Sequence, residues 1–306
     1  MTEKKVSARF LGHPRYWPSW VGLALLRLCS LLPLPLLWLM GSVIGQALYH
    51  LHRTRRAIVL TNVALCFPAL SLKAQQRLAR RHFRALGQGL FDVTLAWWAS
   101  RRRLQRLVRV RGRENYDAAL ASKRNVVLLA GHFMALEVGG MYLSFERPLA
   151  TMYKKSKNPV FERVLQRART RFNAQIIEQD EGLKPVIQAI KKVGLFYYLP
   201  DQDFGAKRSV FAPFFGVAAA TVPLLQRLAN RAQAVVVPCF TRQLPYGQGY
   251  EIVFLPPLRE CIPGDVQDAR QLNGEIEKGV RLMPEQYFWV HKRFKTRPLG
   301  EASLYR

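Results

Sequence analysis

Apolar positions along the chain follow two rhythms. Short apolar runs at 126–130, 150–153, 174–178, 195–199, 234–240 and 250–255 end in glycine or polar residues, the pattern of buried strands. Between them, 133–142, 159–172, 182–192, 221–230 and 267–283 carry apolar residues at helical spacing. A longer stretch, 71–98, opens on Ser71 as a helix cap and keeps arginines opposite its apolar stripe. This alternation predicts an α/β domain with a largely parallel sheet flanked by helices. Ligands of such sheets bind beyond the C-terminal ends of the strands.

The N-terminal segment differs. "LCSLLPLPLLWLMGSVIGQALY", 28–49, carries no charge and is long enough to span a bilayer or lie within one leaflet, although Pro33 and Pro35 oppose a straight helix. The apolar region begins too late for a secretory leader and no cleavage pattern follows it, so a hydrophobic membrane-anchor helix is expected. Arg53, Arg55 and Arg56 flank it on one side and Lys4, Lys5, Arg9 and Arg15 on the other, so basic residues do not set its orientation. The expected division is an anchor over 1–50 and a catalytic domain over 51–306.

Composition narrows the partners. With 49% hydrophobic residues the chain has material for a core and is not a disordered protein. Its 47 Lys and Arg against 20 Asp and Glu give +27, which predicts polyanionic partners: nucleic acid, anionic lipid or an acidic carrier protein. No nucleic-acid-binding pattern is present, and an anchor would not serve one. Cys29, Cys66, Cys239 and Cys261 are widely spaced, which argues against structural zinc or a disulfide framework.

Three chemically loaded segments fall at strand ends: "GHFMALE" after 126–130, "YKKSKNP" after 150–153 and "PDQDFG" after 195–199. His132 and Glu137 would stand about 140° apart on one helix, so they meet only if His132 lies in the preceding turn and Glu137 reaches back. That pairing would be a histidine base oriented by a carboxylate. The alternative is a histidine that caps a helix. Arg163, Arg167 and Arg171 form one basic ridge, and Arg169 lies about 200° from Arg167, facing elsewhere. Asp201 is placed to hold Arg169 or a lysine, or is a turn residue along with Asp203. Lys154 and Asn158 are substrate-binding or supporting candidates. His132 and Glu137 lack an H-E-x-x-H pattern and a third ligand, so no metal is expected. His291, in "WVHKRFKTRP", belongs to a tail better suited to binding phosphate or lipid.

"GHFMALE" resembles the His-x4-Asp/Glu motif of the lipid A biosynthesis acyltransferases. "HPRYW", "NVALCFP", "MYKKSKNP", "RARTRFN", "PDQDFG", "SVFAPFFG", "AAATVP" and "PEQYFWVHKRFKTRP" are similar to that family's other blocks, in order. The resemblance implies a glycerophosphate-acyltransferase-like fold and transfer of a lauroyl-type fatty acyl chain from acyl carrier protein to a hydroxyl of a Kdo-bearing lipid A precursor. It implies His132 and Glu137 as the catalytic pair, with Arg169 and Asp201 also required, and no cofactor. It further implies a place on the bacterial inner membrane, against anionic lipid, with the catalytic domain on the cytoplasmic side. "YKKSKNP" and "DQD" depart from the lauroyl pattern and bear on chain length and acceptor position. A glycerolipid or lysophospholipid acyltransferase would use the same dyad, but its "EGTR"-like block is absent and "VFAPFFG" stands in the comparable place.

Overall fold

The computed structural model describes residues 11–259 and 264–305, so Lys4, Lys5, Arg9 and Cys261 lie outside the described residues. Four helices come first: α1 (Trp17–Cys29), α2 (Leu34–Leu51), α3 (Arg53–Cys66) and α4 (Leu72–Trp98). The uncharged run therefore divides. Pro33 is the N-cap of α2 and Pro35 sits in its first turn, where a missing N–H costs no helical hydrogen bond. The Arg103 guanidinium donates to the carbonyls of Ser30 and Leu32, which satisfies the open end of α1 and ties down the bend.

Helix α2 is not a free rod. A Cβ built on Gly41 would lie 2.7 Å from the Gln88 Cα, and one on Gly45 would lie 2.0 Å from the Phe83 carbonyl oxygen. From the other side, a Cβ on Gly87 would lie 2.0 Å from the Gly41 carbonyl oxygen. Three glycines thus let the backbones of α2 and α4 touch. Leu34 and Leu37 share a core with Phe91 and Leu95 of α4. The outward side stays apolar: Leu36, Leu39 and Val43 on α2, and Val21, Leu25 and Leu28 on α1, are exposed. Helix α4 begins where expected, with Ser71 Oγ accepting from the Ala74 N–H.

The remaining elements are α5 (Arg101–Leu107), β1 (Val108–Arg111), α6 (Arg113–Ala121), β2 (Asn125–Leu129), α7 (Leu136–Glu146), β3 (Leu149–Tyr153), α8 (Pro159–Thr170), β4 (Ala174–Glu178), α9 (Leu183–Val193) and β5 (Leu195–Tyr198). They continue with β6 (Val210–Phe214), β7 (Val217–Thr221), α10 (Leu225–Ala232), β8 (Ala234–Gln243), β9 (Tyr250–Phe254) and α11 (Asp265–Leu282). Seven strands form one sheet in the order β1-β9-β8-β2-β5-β3-β4, parallel except where β8 and β9 run antiparallel. The expected α/β fold with a mixed, largely parallel sheet is the observed one.

The sheet separates two cores. Alternate residues of the central strands face opposite ways: Val127, Leu129, Phe196 and Tyr198 toward α9, α10 and α11, and Val126, Leu128, Leu195 and Tyr197 toward α7 and α8. Such continuous burial is why these strands read as unbroken apolar runs. The hairpin β6–β7 stands outside the sheet and turns through Phe215 and Gly216, both at positive φ.

Candidate active site

Strands β2 and β5 are neighbours, with Leu129 in register with Tyr198. Three residues beyond that pair on each strand stand His132 and Asp201, and they meet. Asp201 Oδ1 lies 2.6 Å from His132 Nδ1, while Asp201 Oδ2 accepts the His132 backbone N–H at 2.9 Å. A Cβ on Gly131 would fall 2.9 Å from the Phe133 ring and 3.4 Å from Asp201 Oδ2, so glycine is what allows this close approach. Burial pushes the Asp201 carboxyl up, but the charge and hydrogen bonds of His132, with Arg293 behind them, outweigh it and hold the group at about 2. The Asp201 side chain is sealed from solvent, whereas His132 keeps 27% of its side chain exposed.

The carboxylate on His132 is therefore Asp201, and the expected contact with Glu137 does not form. Residues 133–135 make a turn, α7 begins only at Leu136, and Glu137 points to α8, where it accepts the Arg169 guanidinium through both oxygens. Burial works against the Arg169 charge, and Glu137 more than compensates, raising its pKa. Arg169 thus faces inward, away from the ridge of exposed Arg163 and Arg167, but its partner is Glu137 and not Asp201. Arg171 leaves the ridge as well and donates to the Ala96 carbonyl.

His132 and the Glu137–Arg169 pair border one cavity of about 730 Å³, whose wall also includes Lys154. Its wall carries Gly140, Met141, Leu149, Ala174 and Val186 from α7, β3, β4 and α9, a largely aliphatic stretch. The wall also includes the polar residues Gln202, Asp203, Arg208 and His291. Asn158 is not in the wall. It caps α8 by accepting the Val160 and Phe161 N–H groups and donates to Ser19 Oγ on α1.

Several residues of the site have no simple sequence signal. Glu162, buried in α8, accepts the Tyr153 hydroxyl and the Ser156 N–H, which shapes the lysine-rich loop after β3. Asp203 accepts the Thr296 N–H at 2.7 Å and the Thr296 hydroxyl at 2.8 Å, so it clamps the C-terminal tail and is more than a turn residue. That tail adds a short strand contact to the site: the Phe288 N–H donates to the His132 carbonyl, and the Met134 N–H to the Gln286 carbonyl. It brings His291 into the cavity wall, where burial lowers its pKa. Asn62 on α3 holds the same segment through the Trp289 and His291 carbonyls.

Chemically, a histidine with one ring nitrogen held by a buried carboxylate and the other side open to a cavity is built to accept a proton. Comparisons with known proteins give this chemistry a setting. The family model described as "Bacterial lipid A biosynthesis acyltransferase" matches residues 3–296. The chain is 36% identical to the lipid A biosynthesis lauroyltransferase of Escherichia coli (strain K12), over 100% of both chains. It is 37% identical to the palmitoleoyltransferase of that strain over 98% of each, and 31% identical to its myristoyltransferase over 96% of this chain and 92% of the relative. A crystal structure of the 1-acyl-sn-glycerophosphate (LPA) acyltransferase from Thermotoga maritima aligns with 82% of this chain and 96% of its own, at a TM-score of 0.38 and 14% identity.

Proposed function

This chain belongs to the bacterial lipid A biosynthesis acyltransferase family, and from that premise we propose that it moves a lauroyl-type acyl chain from acyl carrier protein to a hydroxyl of a Kdo-bearing lipid A precursor, with His132 as general base. The observation that carries this reading is the His132–Asp201 pair, with His132 opening onto a cavity whose wall carries a largely aliphatic stretch.

The acceptor hydroxyl gives its proton to His132 Nε2 as its oxygen attacks the thioester carbonyl. Asp201 keeps the proton of the neutral ring on Nδ1, leaving Nε2 free to accept, and stabilises the imidazolium that forms. When the carbon–sulfur bond breaks, the imidazolium returns the proton to the departing thiolate, so the cycle closes without a covalent enzyme intermediate, metal or cofactor. Glu137 acts one step away. It fixes the Arg169 guanidinium at the cavity wall, where a free N–H meets the developing oxyanion. Lys154 supports substrate binding, and Asn158 supports the site by holding α8.

Anchor and catalytic domain, 1–50 and 51–306, are proposed as a division of role within one packed unit. Among the described residues, one helix, Leu34–Leu51, is long and apolar enough to cross a membrane. Its glycine face is spent on α4, so the exposed leucines of α1 and α2 supply the membrane contact. We place the protein in one leaflet of the bacterial inner membrane, catalytic side to the cytoplasm, with anionic lipid against its basic surface.

Mass spectrometry of lipid products tests this. The purified protein is incubated with a tetra-acylated Kdo-lipid A precursor and acyl carrier protein thioesters of several chain lengths. One added acyl mass, a lauroyl group, is expected. Acylation of a lysophospholipid alone in a parallel reaction would overturn the acceptor and leave the His132 chemistry standing.

A further inference from the structure

We infer that Arg208 and Lys154 form an anion subsite at the mouth of the reaction cavity that takes a phosphoryl group of one of the two substrates. This rests on the acyltransferase reading above and adds to it where the polar part of a substrate is held.

The two cations arrive from adjacent strands. Lys154 is the first residue after β3, and Arg208 closes the 3-10 turn Ala206–Arg208 in the loop that follows β5, the neighbour of β3 in the sheet. Both line the cavity, both are exposed to solvent, and among the described residues neither makes a hydrogen bond or an ion pair. Their neighbours differ. Arg169 in the same wall is held by Glu137, and Lys155 beside Lys154 pairs with Glu178 at 3.2 Å.

The carboxylates of the wall are also engaged. Glu137 holds Arg169, and Asp203 accepts the Thr296 N–H and hydroxyl and the Gly205 N–H. Among the described residues, neither carboxylate of the cavity wall pairs with Arg208 or Lys154. The bonds of Asp203 to the tail also fix the base of the loop, so Arg208 is presented from a tethered segment. A planar guanidinium and an ammonium lining one cavity suit a tetrahedral oxyanion, the first by forked hydrogen bonds and the second as a point charge.

Two phosphoryl groups have this chemistry: the phosphodiester on the prosthetic arm of the carrier-protein donor and the phosphate of the sugar acceptor. The same cavity wall carries Met141, Leu149, Leu165 and Val186, so a phosphoryl group held by the two cations leaves apolar wall to an acyl chain.

Steady-state kinetics of Arg208→Gln and Lys154→Gln, varying each substrate at saturation of the other, reads the subsite. Each variant is expected to raise one KM about tenfold, the loss typical of a hydrogen bond to a charged group, with kcat within about twofold. The same KM must respond in both variants. A rise for the donor assigns the carrier-arm phosphate, and a rise for the acceptor assigns the sugar phosphate. Arg208→Lys should recover part of the loss.

Calorimetry with inorganic pyrophosphate is a direct probe independent of turnover: wild type should bind it and the double variant should not. Pyrophosphate binding in a protein that turns over neither assigned substrate would keep the subsite and overturn the function. Turnover with both KM values unmoved and no difference in pyrophosphate binding would keep the function and overturn the subsite.

Discussion

The seam between α2 and α4 is closed by side chains that are missing, and the site at the tips of β2 and β5 by charged side chains that are present. At the seam a Cβ on Gly45 would sit 2.0 Å from a backbone oxygen, a distance no atom tolerates. At the site Asp201 and His132 meet through hydrogen bonds of 2.6 and 2.9 Å, which an amide or a small side chain could replace without a clash. Both regions bring distant segments together, but they should fail differently. Substitution at the site removes chemistry and leaves the fold, whereas substitution at the seam removes stability and leaves the chemistry of whatever stays folded.

The largest expected effect is at His132. His132→Ala should lower turnover by about 10³-fold, within the range for a positioned general base, while the chain still folds, with a melting midpoint lowered only by the loss of the Asp201 partner. Single-turnover rates and a thermal melt on the same preparation make the measurement. Retention of a tenth of the activity would remove His132 from the mechanism.

Asp201→Asn comes next, with a loss of about 10²-fold, because an amide can stabilise the wrong tautomer of the ring and carries no charge for the imidazolium. It also has a signature in stability. The Asp201 carboxyl falls from an ordinary 3.8 to about 2 in the folded chain, so its contribution is complete above pH 4 and is lost as pH falls through 2. Denaturation midpoints followed from pH 5 to pH 2 should drop more steeply in the parent than in the variant. Parallel curves would mean that the pair carries no linkage.

These two positions also show what local sequence can and cannot reveal. The strand before Gly131 was legible because its burial on both faces leaves an unbroken apolar run, and the helix cap at Ser71 because its contact spans three residues. The partner of His132 was not. Asp201 lies 69 positions away and becomes a neighbour only because β5 lies beside β2, an order no residue of either strand encodes. Proximity in sequence pairs Glu137 with His132, and the late start of α7 turns it to Arg169 instead. The apolar rhythm does not mark strand β1, helix α3 or the hairpin β6–β7 either. The hairpin carried a usable signal in Phe215-Gly216, a two-residue turn at positive φ between apolar runs. Local sequence places His291 in a basic tail suited to phosphate or lipid, since nothing local says that residues 286–288 pair with the turn around His132.

Gly45→Leu should reverse the pattern. The new side chain must push α2 from α4, and overpacking of this kind costs about 1–3 kcal/mol or more. Thermal unfolding in detergent micelles should show a lower midpoint, while kcat per folded molecule stays near the parent value. Equal loss of kcat at unchanged stability would show that the seam and the strand tips are coupled, against the division drawn here.

The mildest perturbation probes the outer face of the same helices. Leu25, Leu28 and Leu31 are exposed in or just after α1, so changing all three to Asp leaves the packed core untouched. It removes apolar surface worth about 25 cal/mol per Å² from any bilayer contact and adds charge that anionic head groups repel. Flotation with vesicles of anionic phospholipid should therefore show reduced binding, with turnover of detergent-dispersed substrate and melting midpoint unchanged. If the variant floats as fully as the parent, the membrane contact lies elsewhere, with the basic surface as the next region to neutralise. If it unfolds, the outer face of α1 is part of the core after all, and the N-terminal pair belongs with the seam as a purely structural element.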